Sequence, residues 1–204
     1  EEHYKGVSVK RFHAWFKFMQ YIVTPGIIKE IKNADIIHCH NYRSFQTDVG
    51  FVIAKLFEKP FVLNTHGGLL GYDKYLKNNL VKLPYRMYDL FTFKLVAKKA
   101  DAVIVSSHHE YQEALNYGIR KEKIHVIPMG IDTNAYSVDR TKRKNKALQL
   151  LFVGRISRNR NLEPIIRAIS LLKKEDINLR IVGEEIVNSA TDKPGYLDEM
   201  KTLV

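Results

Sequence analysis

At 204 residues, 45% of them apolar and 27% charged, the chain can bury one large core or two modest ones, so disorder is not its default. A net charge of +11 draws phosphate, nucleic acid or anionic lipid without choosing among them. The single cysteine, Cys39, excludes an internal disulfide and a zinc ribbon, and no apolar run reaches the roughly 20 residues that a bilayer demands.

In chain order, GVSVKRF at 6–12 reads as an initial strand, after the polar opening EEHYKGVSVK, which does not resemble a secretory signal. Residues 15–32 read mostly as helix, broken near Pro25-Gly26. ADIIHCH is a strand, SFQTDVGFVIAKLFEK a helix stopped by Pro60, and PFVLNTHGG a strand running into glycines. The basic, aromatic segment 79–99 is expected to be helical after Pro84. ADAVIVSS is a buried strand. The next helix has Ser107 and Glu110 at capping-box spacing and Gly118 at its stop. IHVIPMGID forms a strand and turn, and the basic stretch 138–147 is the expected linker. LQLLFVG is a strand, Asn161 is expected to cap a helix with Pro164 in its first turn, and NLRIVGEE is the next strand. Short strands that are apolar throughout, with helices between them, predict an α/β protein with Rossmann-like parallel sheets. The pieces are 1–137 and 148–204.

The strand LQLLFVG ends at Gly154, and Arg155, Arg158 and Arg160 follow within six residues. In an open parallel sheet, ligands sit at the carboxyl ends of strands, and a helix N-terminus there adds N–H groups and a positive dipole. Arg155 and Arg160 would complete a site for a phosphate or diphosphate; the alternative is a solvated basic loop. The G-x-G-x-x-G fingerprint of dinucleotide binding is absent.

LLFVGRISRNRNLEPIIRAISLL followed by LRIVGE resembles the donor-side domain of the retaining glycosyltransferases of family 4, which have the GT-B fold. ADIIHCHNYRS, PFVLNTHGG, ADAVIVSS and IHVIPMGID resemble the acceptor-side half in order and spacing. By this resemblance Arg155 matches an arginine, and Arg160 stands at a lysine position; both cations hold the diphosphate of a nucleotide sugar, beside Gly154 and Glu184. His66 matches the histidine lining the cleft near the transferred sugar and acceptor and is the expected catalytic residue, hydrogen-bonding sugar hydroxyls or steadying charge at the reacting carbon, with Gly67, Gly68, His40 and Arg43 on the acceptor side. No metal or other cofactor is expected, because the cations meet the leaving charge. The family's glycine-rich first strand would precede residue 1 and its E-x7-E element would lie beyond Val204. The chain is therefore expected to be an internal fragment, with a nearly complete first domain, a truncated second one and no activity alone.

Other readings of these residues stay open. His66 can also be satisfied by backbone in a strand-end turn, and Arg43 can be a plain surface arginine. His38 and His40 share a strand face and with Cys39 suggest a metal, but no spaced partner motif completes a site. His108 and His109 read as structural or solvent-facing. The basic, aromatic segment 74–99 can be a packed helix with a wet face or can rest on anionic lipid, as in family members with lipid acceptors. The expected partners are a nucleotide sugar and a carbohydrate or lipid-linked acceptor, in the cytoplasm or peripherally at the inner membrane face. The alternative to a transferase is a non-catalytic basic α/β module for phosphate-rich polyanions or a membrane surface. Specific nucleic-acid binding has no support, as neither an RNP-like aromatic signature nor a helix-turn-helix pattern is present.

Overall fold

The computed structural model describes residues 2–18, 21–70, 79–92, 94–136, 147–172, 176–185 and 194–203, the side chains of Val81 and Asn159 aside. The chain divides into two compact units, Glu1–Ile131 and Asp132–Val204. Most of the basic linker expected at 138–147 lies outside the described residues.

The first unit opens with two antiparallel hairpins, β1 (Glu2–Tyr4) with β2 (Val7–Val9) and β3 (Phe16–Phe18) with β4 (Tyr21–Val23). The expected strand at 6–12 is thus one arm of a hairpin. The expected helix at 15–32 shrinks to α1 (Ile27–Ile31). Strand pairing wins at 16–18 and 21–23 because Tyr-Ile-Val favours extended backbone. Tertiary anchors then hold the hairpin: the Tyr21 hydroxyl donates to Asp48 at 2.7 Å, and Gln46 donates to the Ile22 carbonyl at 3.2 Å.

The main sheet is parallel, in the order β5 (Ile37–His40), β6 (Phe61–Asn64), β7 (Ala102–Val105), β8 (Ile124–Val126). α2 (Phe45–Leu56) crosses from β5 to β6, with Ser44 accepting the Thr47 N–H as its N-cap. Its buried face of Thr47, Gly50, Ile53 and Ala54 lies close against β5: a Cβ on Gly50 would stand 2.7 Å from Cys39 Sγ. Phe61, Leu63, Val103, Val105 and Tyr117 anchor the core.

The segment 79–99 is two helices, α3 (Asn79–Phe91) and α4 (Leu95–Lys98), separated by Lys94 in the left-handed region at φ 59°. α3 begins before Pro84, so the proline sits inside it rather than at its start. α5 (His108–Tyr117) follows β7 and stops at Gly118, φ 92°. Its N-terminus departs from the capping box in one arm. Ser107 Oγ accepts the Glu110 N–H at 3.2 Å, but the Glu110 carboxylate reaches back to the N–H and hydroxyl of Ser106, at 2.9 and 2.8 Å. His108 and His109 are exposed in the first turn, and His109 lies 3.4 Å from Glu113.

In the second unit β9 (Leu148–Val153) pairs in parallel with β10 (Ile177–Val182), joined through α6 (Glu163–Leu171). α7 (Tyr196–Lys201) packs with α6 around Ile156, Leu162, Ile166, Tyr196 and Met200. Here the strands alternate in exposure, with Leu151, Val153 and Val182 open on one face, so the expected cover on both faces holds only in the first unit's sheet.

Candidate functional site

Both units gather the predicted site residues at the carboxyl ends of parallel strands. In the first unit β5 ends at His40 and β6 at Asn64, in register with each other. The pairing continues one step, with the Asn41 N–H donating to the Asn64 carbonyl at 3.0 Å. Two residues further on, His66 turns the chain at φ 46° and Gly67 at φ 76°, and the Gly68 N–H closes the turn on the Thr65 carbonyl at 2.8 Å. Glycine at 68 is demanded by space, since a Cβ there would sit 2.9 Å from the Thr65 oxygen.

This turn brings His66 against His40. His40 Nδ1 and His66 Nε2 are 2.9 Å apart, with the rings edge to edge, 5.2 Å between centroids and their planes 25° apart. His38 lies beyond His40, with centroids 4.5 Å apart, which confirms that the two share a strand face. Partial burial, then the neighbouring His40 and His66, lower the His38 pKa below that of a free imidazole. Cys39 points the other way, toward α2, and burial pushes its thiol up to about 11. Among the described residues, no set of three or more His, Cys, Asp or Glu is arranged to hold a metal ion. An open groove of about 280 Å³ runs along β5, lined by Ile27, Ile31, Ile37, His38, His40 and Thr47 among others.

Arg43 is not available to an acceptor. Its side chain is 6% exposed and makes a two-pronged ion pair with Asp89 of α3, Nε to Oδ1 at 3.0 Å and Nη2 to Oδ2 at 2.9 Å. It also donates to the Gly68 carbonyl, to the Leu69 carbonyl at 3.0 Å and to the Tyr117 hydroxyl at 3.4 Å. The guanidinium stacks 4.6 Å from the Tyr42 ring centroid, and the Tyr117 hydroxyl donates to Asp89 at 2.7 Å. The sequence reading missed Asp89 and Tyr117. The signal was present: Asp89 is the one acidic residue between 79 and 99, in a stretch with five basic ones. Its charge therefore demanded an explanation. Arg43 fastens the His66 turn to α3 and α5. Beneath that turn lies Glu110, whose Oε1 would be 3.5 Å from a Cβ on Gly67.

In the second unit β9 and β10 stay paired past their ends. The Gly154 N–H donates to the Val182 carbonyl at 3.0 Å and the Ile156 N–H to the Glu184 carbonyl at 2.9 Å. A Cβ on Gly183 would fall 1.8 Å from the Gly154 oxygen, so the two backbones touch there. Arg155 and Glu184, which follow Gly154 and Gly183, are exposed, as is Arg160 in the 3-10 turn Arg158–Arg160. Arg158 instead pairs with Glu199 over the Tyr196 ring.

The helix start differs from expectation. Asn161 does not cap α6; at φ 50° it closes a 3-10 turn over Arg158–Arg160, and Leu162 holds the N-cap position without a side-chain cap. The Leu162 N–H donates to the buried Tyr196 hydroxyl at 2.9 Å, Ile165 donates back to the Leu162 carbonyl at 3.0 Å, and Pro164 has no N–H. Few N–H groups remain there for an anion, so the burden of any phosphate falls on the arginine side chains.

The model of glycosyltransferase family 4 matches residues 2–135. The chain belongs to that family. A glycosyltransferase of Methanocaldococcus jannaschii, MJ1069, is 32% identical over 161 residues, covering 73% of this chain and 40% of its own. The GDP-mannose:cellobiosyl-diphosphopolyprenol alpha-mannosyltransferase of Xanthomonas oryzae is 21% identical over 88% of this chain and 44% of its own. Among solved structures, Anabaena Alr3699/HepE in complex with UDP and glucose superposes with a TM-score of 0.63 at 16% identity, over 87% of this chain and 46% of that one. Sucrose-phosphate synthase from Thermosynechococcus elongatus superposes at 0.60 and 17% identity, over 88% and 46%. These likenesses establish the GT-B type of α/β fold, and the chain spans about half the length of the relatives it matches.

Proposed function

We propose that this chain forms the acceptor-side unit and part of the donor-side unit of a glycosyltransferase. That enzyme moves a hexose from a nucleotide diphosphate sugar to an acceptor hydroxyl with retention at the anomeric carbon. The observation that carries the proposal is the strand-end edge of the second unit. There Gly183 lies directly against the Gly154 backbone, and Arg155, next in the chain, and Arg160, in the 3-10 turn that follows, are both exposed. A departing diphosphate gains negative charge in the transition state. Guanidinium groups fixed at that edge would favour it most at that moment, without a metal ion. Family membership and the UDP and glucose held by the Anabaena relative support a nucleotide sugar as donor. His66 lines the acceptor side in this reading, on a turn whose conformation Gly67 and Gly68 permit.

Titration of the purified chain with UDP-glucose tests the donor site. Saturable binding, weakened about 10- to 100-fold in Arg155→Ala, is the expected result, given the worth of a charged hydrogen bond. In turnover by the whole enzyme, the same substitution is expected to lower the rate by orders of magnitude, and the anomeric proton of the product reports retention. A near-normal rate in Arg155→Ala sinks the assignment. Affinity for any polyanion with a steep salt slope would instead favour the basic binding module.

A carbohydrate or lipid-linked acceptor at the cytoplasmic membrane face completes the reading. Supporting it, α3 turns Tyr88 and Asp89 toward the core and exposes Leu80, Leu83, Met87, Leu90 and Phe91. An apolar stripe with Arg86 at its margin suits an interfacial helix. Among the described residues no helix is long and apolar enough to cross a membrane.

A further inference from the structure

We infer that His40 is a positioning residue for His66: it accepts the His66 Nε2–H and leaves the His66 Nδ1 lone pair to receive a proton-donating substrate group, a sugar hydroxyl. The inference rests on the reading above, in which His66 lines the acceptor site. It adds which nitrogen His66 presents and which chemistry that nitrogen selects.

The geometry fixes the pair from both sides. Strand register sets His40 opposite Asn64, and the Asn41 to Asn64 hydrogen bond carries the pairing to the foot of the His66 turn. Arg43 holds the far side of that turn through the Gly68 and Leu69 carbonyls. The His38 ring lies behind His40, tilted by 31°. The 2.9 Å separation of His40 Nδ1 and His66 Nε2 is a hydrogen bond and so requires one proton between the two nitrogens. If both rings were imidazolium, two N–H groups would collide there. With both rings neutral, each carries one N–H.

If His66 donates, both rings are in the Nε2–H form, the commoner form of neutral imidazole in water. If His40 donates, both must adopt the rarer Nδ1–H form. The first arrangement therefore holds. Among the described residues this is the one hydrogen bond of the His66 side chain, so Nδ1 keeps its lone pair. A lone pair at that position accepts from a hydroxyl and repels a carbonyl or phosphate oxygen. His66 thus discriminates in favour of an alcohol.

The test is nitrogen-15 NMR of the uniformly labelled chain at about pH 8, where free imidazole is neutral. The expected result is a scalar coupling across the hydrogen bond between His66 Nε2 and His40 Nδ1, with the proton on His66 Nε2 and a pyridine-type shift for His66 Nδ1. His40→Phe keeps an aromatic ring at position 40 but removes the acceptor. There the coupling vanishes and His66 relaxes to the mixture of forms of a free side chain. His40→Asn sets an amide oxygen near the place of Nδ1 and restores the Nε2–H form. The proton on His40 Nδ1, no coupling, or a His66 signal unchanged in His40→Phe overturns the inference. Titration with UDP-glucose separates the two readings: absent donor binding with the coupling present removes the donor assignment alone, and the reverse removes His40's role alone.

Discussion

Replacing Arg43 by methionine separates a structural arginine from a substrate-binding one. The side chains of Arg43 and Asp89 are 6% and 7% exposed, so the substitution strands a carboxylate away from water. Breaking a buried pair from one side costs about 3–5 kcal/mol, and each lost bond to a carbonyl, here those of Gly68 and Leu69, adds about 1 kcal/mol. Methionine returns part of this by packing on Tyr42, so about 4 kcal/mol is the expected loss. For a unit of this size that is a fall of roughly 10–15 °C in Tm. Urea denaturation followed by circular dichroism measures it. The double variant Arg43→Met/Asp89→Asn should regain about half, because the stranded charge is gone while the two carbonyls still lack their donor. If Arg43→Met loses less than about 1 kcal/mol, or the double variant is no better than the single one, the buried pair is not what holds the His66 turn. An acceptor-binding arginine, by contrast, would leave stability nearly untouched when neutralised.

Gly183→Ala should cost several kcal/mol in the second unit, since its Cβ would overlap the Gly154 oxygen; hydrogen exchange at the Gly154 and Ile156 amides should accelerate, and unchanged protection would contradict the contact. With its thiol pushed up from 9.0 to about 11, Cys39 has about 100-fold less thiolate at pH 8 than a free thiol, so a thiol-reactive dye should label the native chain slowly and the denatured chain fast; equal rates would refute this. Asp48 accepts from the Tyr21 and Tyr88 hydroxyls, and its pKa is raised, burial outweighing those two hydrogen bonds. A raised carboxyl stabilises most below its unfolded value near pH 4 and loses that contribution as pH climbs through the folded value. The stability advantage of the wild type over Asp48→Asn, read from urea midpoints, should therefore shrink between about pH 4 and pH 7; growth over that range would be inconsistent with a raised value.

The strands β5 to β8 and the helices between them were legible because local signals agree: β-branched runs, Ser44 and Ser107 before helices, Gly118 after one. Strand ends then placed His40, His66 and Gly154 at carboxyl edges without further information. What escaped depended on partners far along the chain. FHAWFKFMQYIV satisfies a helical repeat as well as a hairpin, and the Asp48 that accepts from Tyr21 is 27 positions away. Arg43 looked like a loop arginine because Asp89 is 46 positions on. Asn161 has the composition of a cap, but Tyr196, 34 residues beyond Leu162, serves the helix start instead. Each miss is a tertiary contact overriding a sound local preference.

The touching backbones of Gly154 and Gly183 have an evolutionary corollary. Where two strands press together with no side chains between them, whatever is laid across that floor meets peptide groups common to every sequence. Drift elsewhere in β9 and β10 leaves such a floor intact, while almost any residue larger than hydrogen at position 183 destroys it. Variation among homologues should therefore be scarce at that one position and plentiful around it.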